Sequence, residues 1–467
     1  MSIDAQSLLD ELPHQRWFGF KDSRIAGIGV VDEAVIDDGP PALVIAIVAV
    51  DVAGRSVWYQ LPLLVDSDGT LRDATTEPER LRVLGELMRH SDSIKGDHGV
   101  FYFGGPGLDP MAPPLGRSSV RVMDAEQSNT SVVFDEEVIL KFFRKLDRGP
   151  NPDLELNRLL TNEGFDHIPA QVGEITYEGE IDEEEIVVDL GIAQQLVSGG
   201  AEGWTYLVAE LHRFFDEIDP ADVPEDHRFL TEERAKQGLE AIEELGDVTA
   251  ALHVALSRNE VDPDLVPEAI QRSDLDDLAA RISQSLSDAP PDALKGIAKT
   301  LKRLSEIEDA GAKTRIHGDY HLGQVLRSSK GWMVLDFEGE PLRSLSARRA
   351  KQTPLKDVAG MLRSLNYVTV ATMFQRTEDG SDEWKRLEPW GRVWEETARD
   401  RFLAAYLTRA HEGRFLPHER EDLLVLLDAL EIEKALYELE YEKGHRPEWI
   451  QIPRHGLIRV VERAGIR

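Results

Sequence analysis

The sequence predicts an α+β chain, β-rich for about its first 200 residues and mostly helical beyond them. Alternating or continuously apolar runs rich in β-branched residues fill 25–65 and recur between about 118 and 197. From Gly203 the apolar residues change to a period of 3.6. One interruption, Arg315–Phe337, places two short apolar segments around a polar cluster.

Taken in order, Ile25–Val35, Ala42–Val52 and Ser56–Val65 read as strands, because Asp37-Asp38-Gly39-Pro40-Pro41 and Ala53-Gly54 supply the turns between them. Ala42–Val50 is apolar throughout, too short to cross a bilayer and suited to a buried strand. Glu77–His90 reads as a helix. Gly104-Gly105-Pro106-Gly107 and the segment Pro110–Pro114 break the pattern and predict a domain boundary near residue 112. Ser131–Phe134 and Val138–Phe143 then form a hairpin about Asp135-Glu136-Glu137. Asn151-Pro152-Asp153 opens a helix running to about Glu163. Gln171–Tyr177 and Glu185–Leu196 are strands, and Ser198-Gly199-Gly200 is a hinge. The expected helices beyond it are Thr205–Phe215, Thr231–Arg258, Leu275–Ser287, Ala293–Ala310, Leu355–Phe374, Trp384–Leu407 and His418–Tyr441. The expected domains are a β-rich cap over 1–112, a small β-rich lobe over 113–200 and a helical lobe over 201–467.

Asp and Glu number 87 against 53 Lys and Arg, a net charge of −34. That field repels phosphate backbones and anionic lipid, which argues against nucleic-acid or membrane-surface binding. It leaves solubility or salt adaptation as its bland meaning, or a local basic pocket inside an acidic body. With no Cys, disulfides, thiolate metal sites and thiol nucleophiles are excluded. Met1–Glu11 carries no basic segment followed by an apolar run, so the expectation is a soluble, cytoplasmic protein.

The chemistry lies in the interruption. It reads Ile316-His317-Gly318-Asp319-Tyr320-His321-Leu322-Gly323-Gln324, followed by Met333-Val334-Leu335-Asp336-Phe337-Glu338-Gly339-Glu340-Pro341. A carboxylate near an acceptor hydroxyl and oxygen ligands for a hard cation are what phosphoryl transfer needs. An Asp five residues before an amide ligand, then an acidic residue ending the next strand, is the kinase spacing. Here Gln324 stands where Asn is usual, with one more methylene of reach. A lone Asp in a turn would read as structural, and His321 or Glu338 alone as either; the spacing of the set is what points to chemistry.

These segments resemble the aminoglycoside phosphotransferase-like kinases, a branch of the protein-kinase-like fold. The Gln, the run 336–341, Ala125-Glu126-Gln127-Ser128-Asn129-Thr130-Ser131, Pro354–Arg363, Ala435-Leu436-Tyr437-Glu438 with Arg446-Pro447, and Gln15-Arg16-Trp17-Phe18 resemble the maltokinase branch. The resemblance implies a bilobal fold with an N-terminal cap. It also implies roles: Asp319 as catalytic base, Gln324 and Asp336 as ligands of Mg²⁺ or Mn²⁺, Lys141 on the α- and β-phosphates of ATP, and Glu155 pairing with Lys141. An unpaired Lys would swing away from the phosphates, and a buried one would tend to lose its proton. Ser128, Asn129 and Thr130 would cover the phosphates without glycine, through hydroxyls and an amide. Gln195 and Val197 would lie beside adenine and donate backbone hydrogen bonds.

Sugar pockets join polar groups to an aromatic face. His321 and, at i, i+4 spacing on a late helix, Glu433, Tyr437 and Tyr441 are the acceptor candidates. The implied activity is an ATP- and Mg²⁺-dependent sugar kinase making maltose 1-phosphate from maltose. The alternatives are a glucosamine or aminoglycoside-type kinase and, from another class, a catalytically silent kinase-like binding or regulatory module. The implied partners are ATP and a small sugar, with neither nucleic acid nor membrane. The branch also implies association with trehalose synthase-type enzymes, the chain itself being a monomer or dimer.

Overall fold

A computed structural model describes residues 3–9, 12–21, 23–105, 115–123, 128–181, 183–219, 227–341 and 343–466. The expected boundary near 112 and the residues Ala125-Glu126-Gln127 lie outside the described residues. The chain divides into two compact units: Met1–Asn162 with Ile168–Ser198, and Glu163–His167 with Gly199–Arg467.

The first unit holds two antiparallel sheets. One contains β1 (Ile25–Asp37), β2 (Ala42–Val52) and β3 (Arg55–Val65), with β4 (Leu71–Asp73) against β3. The other contains β5 (Ser93–Lys95), β6 (Gly99–Gly104), β7 (Val120–Val122), β8 (Thr130–Phe134), β9 (Val138–Phe142), β11 (Gln171–Ile181) and β12 (Glu184–Gln195), in the order β5-β6-β11-β12-β9-β8-β7. Strands before and after residue 112 thus share a sheet. The short β10 (Lys145–Leu146) returns to the first sheet, pairing Lys145 with Tyr59 and Leu146 with Trp58. Helices α1 (Arg82–His90) and α2 (Pro152–Asn162) complete the unit.

The apolar run of β2 follows from this arrangement. Leu43, Ile45 and Ile47 enter a core shared with Phe101, Val132, Phe142 and Ile192 of the second sheet. Val44, Ala46, Val48 and Val50 enter a second core with Leu8, Leu12, Trp17 and Phe18. A strand buried on both faces has no polar alternation to show. The β8–β9 turn is tighter than its residue types suggest, since Asp135 and Glu136 both have positive φ (53° and 56°). The Asp135 carboxylate compensates by accepting N–H bonds from Arg117, Ser118 and Ser119 at 3.0, 2.7 and 2.9 Å.

Asp189 on β12 is buried and accepts the Asn151 N–H at 2.7 Å. Burial pushes its carboxyl up from the ordinary 3.8 to about 6, opposing the Asn151 bond and Arg158 and reinforced by Glu174 and Glu155. A carboxyl raised on folding favours the folded state most below its unfolded pKa, and that contribution is lost as pH rises through about 6. Asp189→Asn keeps an acceptor for Asn151 but no charge. It should therefore gain about 2–3 kcal/mol on wild type at pH 8 and little at pH 4, read from urea melts. Equal differences at the two pH values would contradict this.

The second unit is helical: α3 (Gly203–Asp216), α4 (His227–Arg234), α5 (Lys236–Leu256), α6 (Arg272–Gln284), α7 (Pro291–Leu304), α8 (Leu345–Arg349), α9 (Leu355–Arg376), α10 (Asp382–Ala410), α11 (Arg420–His445) and α12 (Gln451–Ile466). The expected helix Thr231–Arg258 is two helices; Ala235, where they meet, is not a residue type that marks a break. Helix α9 is buried along most of its length and packs on α3, α10, α11 and α12. Strands β13 (Ala201–Glu202), β16 (Val325–Ser328) and β17 (Gly331–Val334) form a small sheet; β14 (Glu268–Ala269) pairs with β15 (Ala312–Lys313). Among the described residues no helix is long and apolar enough to cross a membrane.

Candidate active site

In the first unit, Lys141 sits mid-sheet on β9, opposite Ser131 of β8 and Ile192 of β12. Its Nζ donates to Asp153 Oδ2 at 3.2 Å, and the Asp153 side chain is 3% exposed. Asp153 lies in the first turn of α2; Glu155, the expected partner, lies in the same turn, half-buried, and adds to the negative field around Asp189. Ser128 is exposed, and Asn129 and Thr130 are buried. At the other end of the sheet the Gln195 N–H donates to Ala170 O at 2.9 Å and the Leu196 N–H to Glu137 O at 2.7 Å. The Gln195 N–H is thus engaged where β12 ends, and the Val197 N–H makes no such bond among the described residues.

In the second unit, the loop carrying Asp319 joins β15 to β16. Two groups hold its backbone. Asp357, in the first turn of α9 and 2% exposed, accepts the N–H of His317 at 2.8 Å and of Gly318 at 2.9 Å. His253 of α5 lies 3.2 Å from the same carboxylate through Nε2 and 2.9 Å from the Tyr406 hydroxyl through Nδ1. Burial alone would raise the Asp357 carboxyl, but the His253 bond, the charges of His253 and His317 and the Gly318 N–H hold it below its ordinary value. The His317 ring, beside Phe337, meets Leu335 O at 2.9 Å, tying the loop to the chain after β17. Gly318 has φ of +86°. At Gly360 a Cβ would come within 2.7 Å of Tyr320 O, so glycine lets α9 approach the loop.

Asp319 Oδ2 is 3.8 Å from His321 Nε2. Burial pushes the His321 pKa down, against the pull of Asp319, so the ring is neutral at pH 7. Gln324 Nε2 lies 3.3 Å from Asp336 Oδ2, and Leu335 N–H donates to Gln324 O at 2.9 Å. Asp336 has φ of +61°, a left-handed conformation that Asp tolerates better than most residues and that is enriched at functional sites. Asp336 and Glu338 offer carboxylate oxygens within 4.8 Å of one another. With the Gln324 amide turned, this is an all-oxygen set of the kind a hard divalent cation takes.

Beside Asp319 opens a cavity of about 260 Å³, walled by the loop 318–321, the start of α9 and the middle of α11. It brings together Asp319, His321, Glu433 and Tyr437 as expected. Tyr441 does not line it: one helical turn further on, it stacks on Tyr437 and His445. Glu433 Oε1 accepts from Arg281 Nε at 2.5 Å. The cavity also contains residues that sequence reasoning left without a role. Arg343 Nε donates to Glu340 Oε2 at 2.5 Å. Burial would raise the Glu340 carboxyl, but Arg343, Lys356 and Lys434 hold it low. Lys356, largely buried, has its pKa pushed down by desolvation. Lys434 Nζ lies 5.2 Å from the Tyr437 ring centre. The signal for Lys356 and Asp357 was two adjacent charges opening an otherwise apolar helix.

Residues 12–91 match the family described as the maltokinase N-terminal cap domain, and residues 125–339 match the phosphotransferase enzyme family. A glucosamine kinase of Mycolicibacterium smegmatis is 26% identical over 341 residues, 71% of this chain and 77% of that one. A glucosamine kinase of Streptacidiphilus jiangxiensis is 28% identical over 356 residues, 73% of each chain. The solved structure of a glucosamine kinase in complex with glucosamine, ADP and inorganic phosphate superposes with a TM-score of 0.69 at 20% identity, covering 98% of this chain and 99% of that one, which shows a common fold. The chain thus joins a segment matching the maltokinase N-terminal cap to one matching the phosphotransferase enzyme family, and it is a kinase acting on a sugar hydroxyl.

Proposed function

We propose that this kinase transfers the γ-phosphate of ATP to the anomeric hydroxyl of maltose, giving ADP and maltose 1-phosphate. The observation that carries this choice of acceptor is the charge of the cavity. The cavity beside Asp319 sets Arg281, Arg343, Lys356 and Lys434 among the carboxylates of Asp319, Glu340, Asp357, Glu433 and Glu440. Glu340 and Glu433 already hold an arginine each, and Asp357 holds the loop amides. A wall of interleaved donors and acceptors, with three of its carboxylates engaged, serves neutral hydroxyls better than a substrate ammonium. The Tyr437 ring offers a face for the C–H side of a sugar. Glucosamine is the second reading, favoured by the likeness to the two glucosamine kinases.

Asp319 takes the hydroxyl proton as the sugar oxygen bonds to phosphorus and the bond to ADP breaks. His321, neutral and adjacent, orients that carboxylate or the hydroxyl. Asp357 and His253 keep the loop rigid, so alignment costs little at the moment of reaction. Gln324 and Asp336, with Glu338 beside them, would hold Mg²⁺, which when bound neutralises phosphate charge. Lys141 would steady the α- and β-phosphates.

An ATP-consumption screen over maltose, glucosamine, glucose and aminoglycosides tests the acceptor. Maltose should give the highest kcat/KM, and Tyr437→Ala should raise its KM about 5- to 150-fold with the KM for ATP unchanged. Turnover confined to glucosamine would select the second reading.

A further inference from the structure

A second cavity, of about 320 Å³, lies among α9, α10 and α12, and its volume falls within the range of small-molecule pockets. It is remote from the loop of Asp319: along α9, Met373 in its wall follows Asp357 by sixteen residues, about 24 Å of helix. Two residues of α10 shape it. Pro389 has no N–H to give Lys385 O, so the helical ladder is broken beside the cavity. At Gly391 a Cβ would come within 3.0 Å of Met373 Sδ and 3.3 Å of Thr369 Cγ2, so glycine lets α10 close on α9 there. The wall is apolar and aromatic: Val370, Met373 and the Trp384 ring, which stacks on Phe374 with centroids 5.1 Å apart.

The rim is charged. Arg459 meets Glu395 and lies 3.8 Å from Glu388, so the carboxylate that lines the cavity already has a cation beside it. Lys385 meets Asp382 at 3.3 Å in an exposed pair, a contact that contributes little in water. Arg392 makes neither hydrogen bond nor ion pair among the described residues, although Glu388 and Glu396 stand one turn either side of it. The His455 ring likewise makes no hydrogen bond among them. Burial pushes its pKa down, Arg459 and Arg454 adding to the effect and Asp379 and Glu388 opposing it, so the ring is neutral at pH 7 with one N–H to donate. A seam between helices sets apolar groups against one another; here an aromatic wall and uncommitted donors border one space. We propose that this cavity binds a small organic monoanion with a flat apolar body, an aryl-alkyl carboxylate, its ring against Trp384 and Met373 and its carboxylate on Arg392 and Lys385. An ammonium would compete with Arg459 for Glu388 and would meet Lys385 and Arg392 as well.

The test uses the full chain and three probes of similar shape: indole-3-acetate, indole-3-acetamide and tryptamine. Binding is read from the methyl resonance of Met373, assigned among the seven methionines by its loss in Met373→Leu, and from calorimetry. Indole-3-acetate should shift that resonance saturably, and the amide and the amine should bind at least about 5-fold more weakly. Arg392→Gln, at an exposed position that needs no repacking, should weaken indole-3-acetate about 5- to 10-fold, leave the amide nearly unchanged and leave kcat and both KM values as they are. Trp384→Ala should weaken all three probes; should it fail to fold, Arg392→Gln still decides. Equal affinity for the three probes would overturn the proposal. So would an unmoved Met373 resonance with indole-3-acetate competing against the sugar, which would place the anion in the cavity beside Asp319 instead.

Discussion

Asp319→Asn lowers kcat by about 10²- to 10⁴-fold, the range for removing a positioned general base, with ATP Kd altered less than about 3-fold. The change is nearly isosteric, and the loop is held by groups that it does not touch: Asp357 on the His317 and Gly318 amides, His253 on Asp357, and His317 on Leu335 O. Geometry therefore survives while the proton acceptor is lost. The acceptor KM should move modestly, because Glu433, Tyr437 and the cavity's cations remain. Pre-steady-state turnover resolves the chemical step from product release. A variant with near wild-type turnover would remove Asp319 from the mechanism, leaving His321 at 3.8 Å as the next group to examine.

Asp336→Ala should weaken ATP binding strongly in Mg²⁺ and far less in chelator. A carboxylate contributes both charge and a ligand to a hard cation, so its loss should cost about 10- to 100-fold in metal-dependent affinity. Gln324→Ala should act in the same direction but more mildly, a neutral amide supplying less field. Glu338→Gln distinguishes whether the second carboxylate near Asp336 shares the load. Titration with Mn²⁺ followed by electron paramagnetic resonance reads the metal without assaying turnover. Equal losses of affinity with and without metal would show that Asp336 and Gln324 do not act through an ion.

What the sequence makes legible, and what it does not, follows physical lines. The His-Gly-Asp motif, Gln324 and Asp336 are close in sequence, so their juxtaposition needs only one loop and one hairpin, and spacing reveals it. The two-sided burial of β2 was visible as an unbroken apolar run. Pairings that depend on register between distant segments were not visible. Lys141 meets Asp153, a partner the spacing does not single out, because β9 and the first turn of α2 come together only in the fold. The return of β10 to the first sheet, Lys145 against Tyr59, joins segments more than eighty residues apart and leaves no local pattern. The cations of the cavity come from α6, α9, α11 and the segment before α8, and no local pattern gathers them. Tyr441 shares a helical face with Tyr437, but a face is longer than a pocket, and periodicity does not say where the pocket ends.

The central claim, phosphoryl transfer from ATP to a neutral sugar set beside Asp319, is tested most directly by ³¹P NMR of wild-type protein with ATP, Mg²⁺ and equimolar maltose and glucosamine. The account predicts that the γ-phosphate signal decays as a phosphomonoester signal coupled to the anomeric proton of maltose grows, and that Asp319→Asn abolishes both changes on the same timescale. A phosphate found on glucosamine instead, or released only as inorganic phosphate, would contradict it.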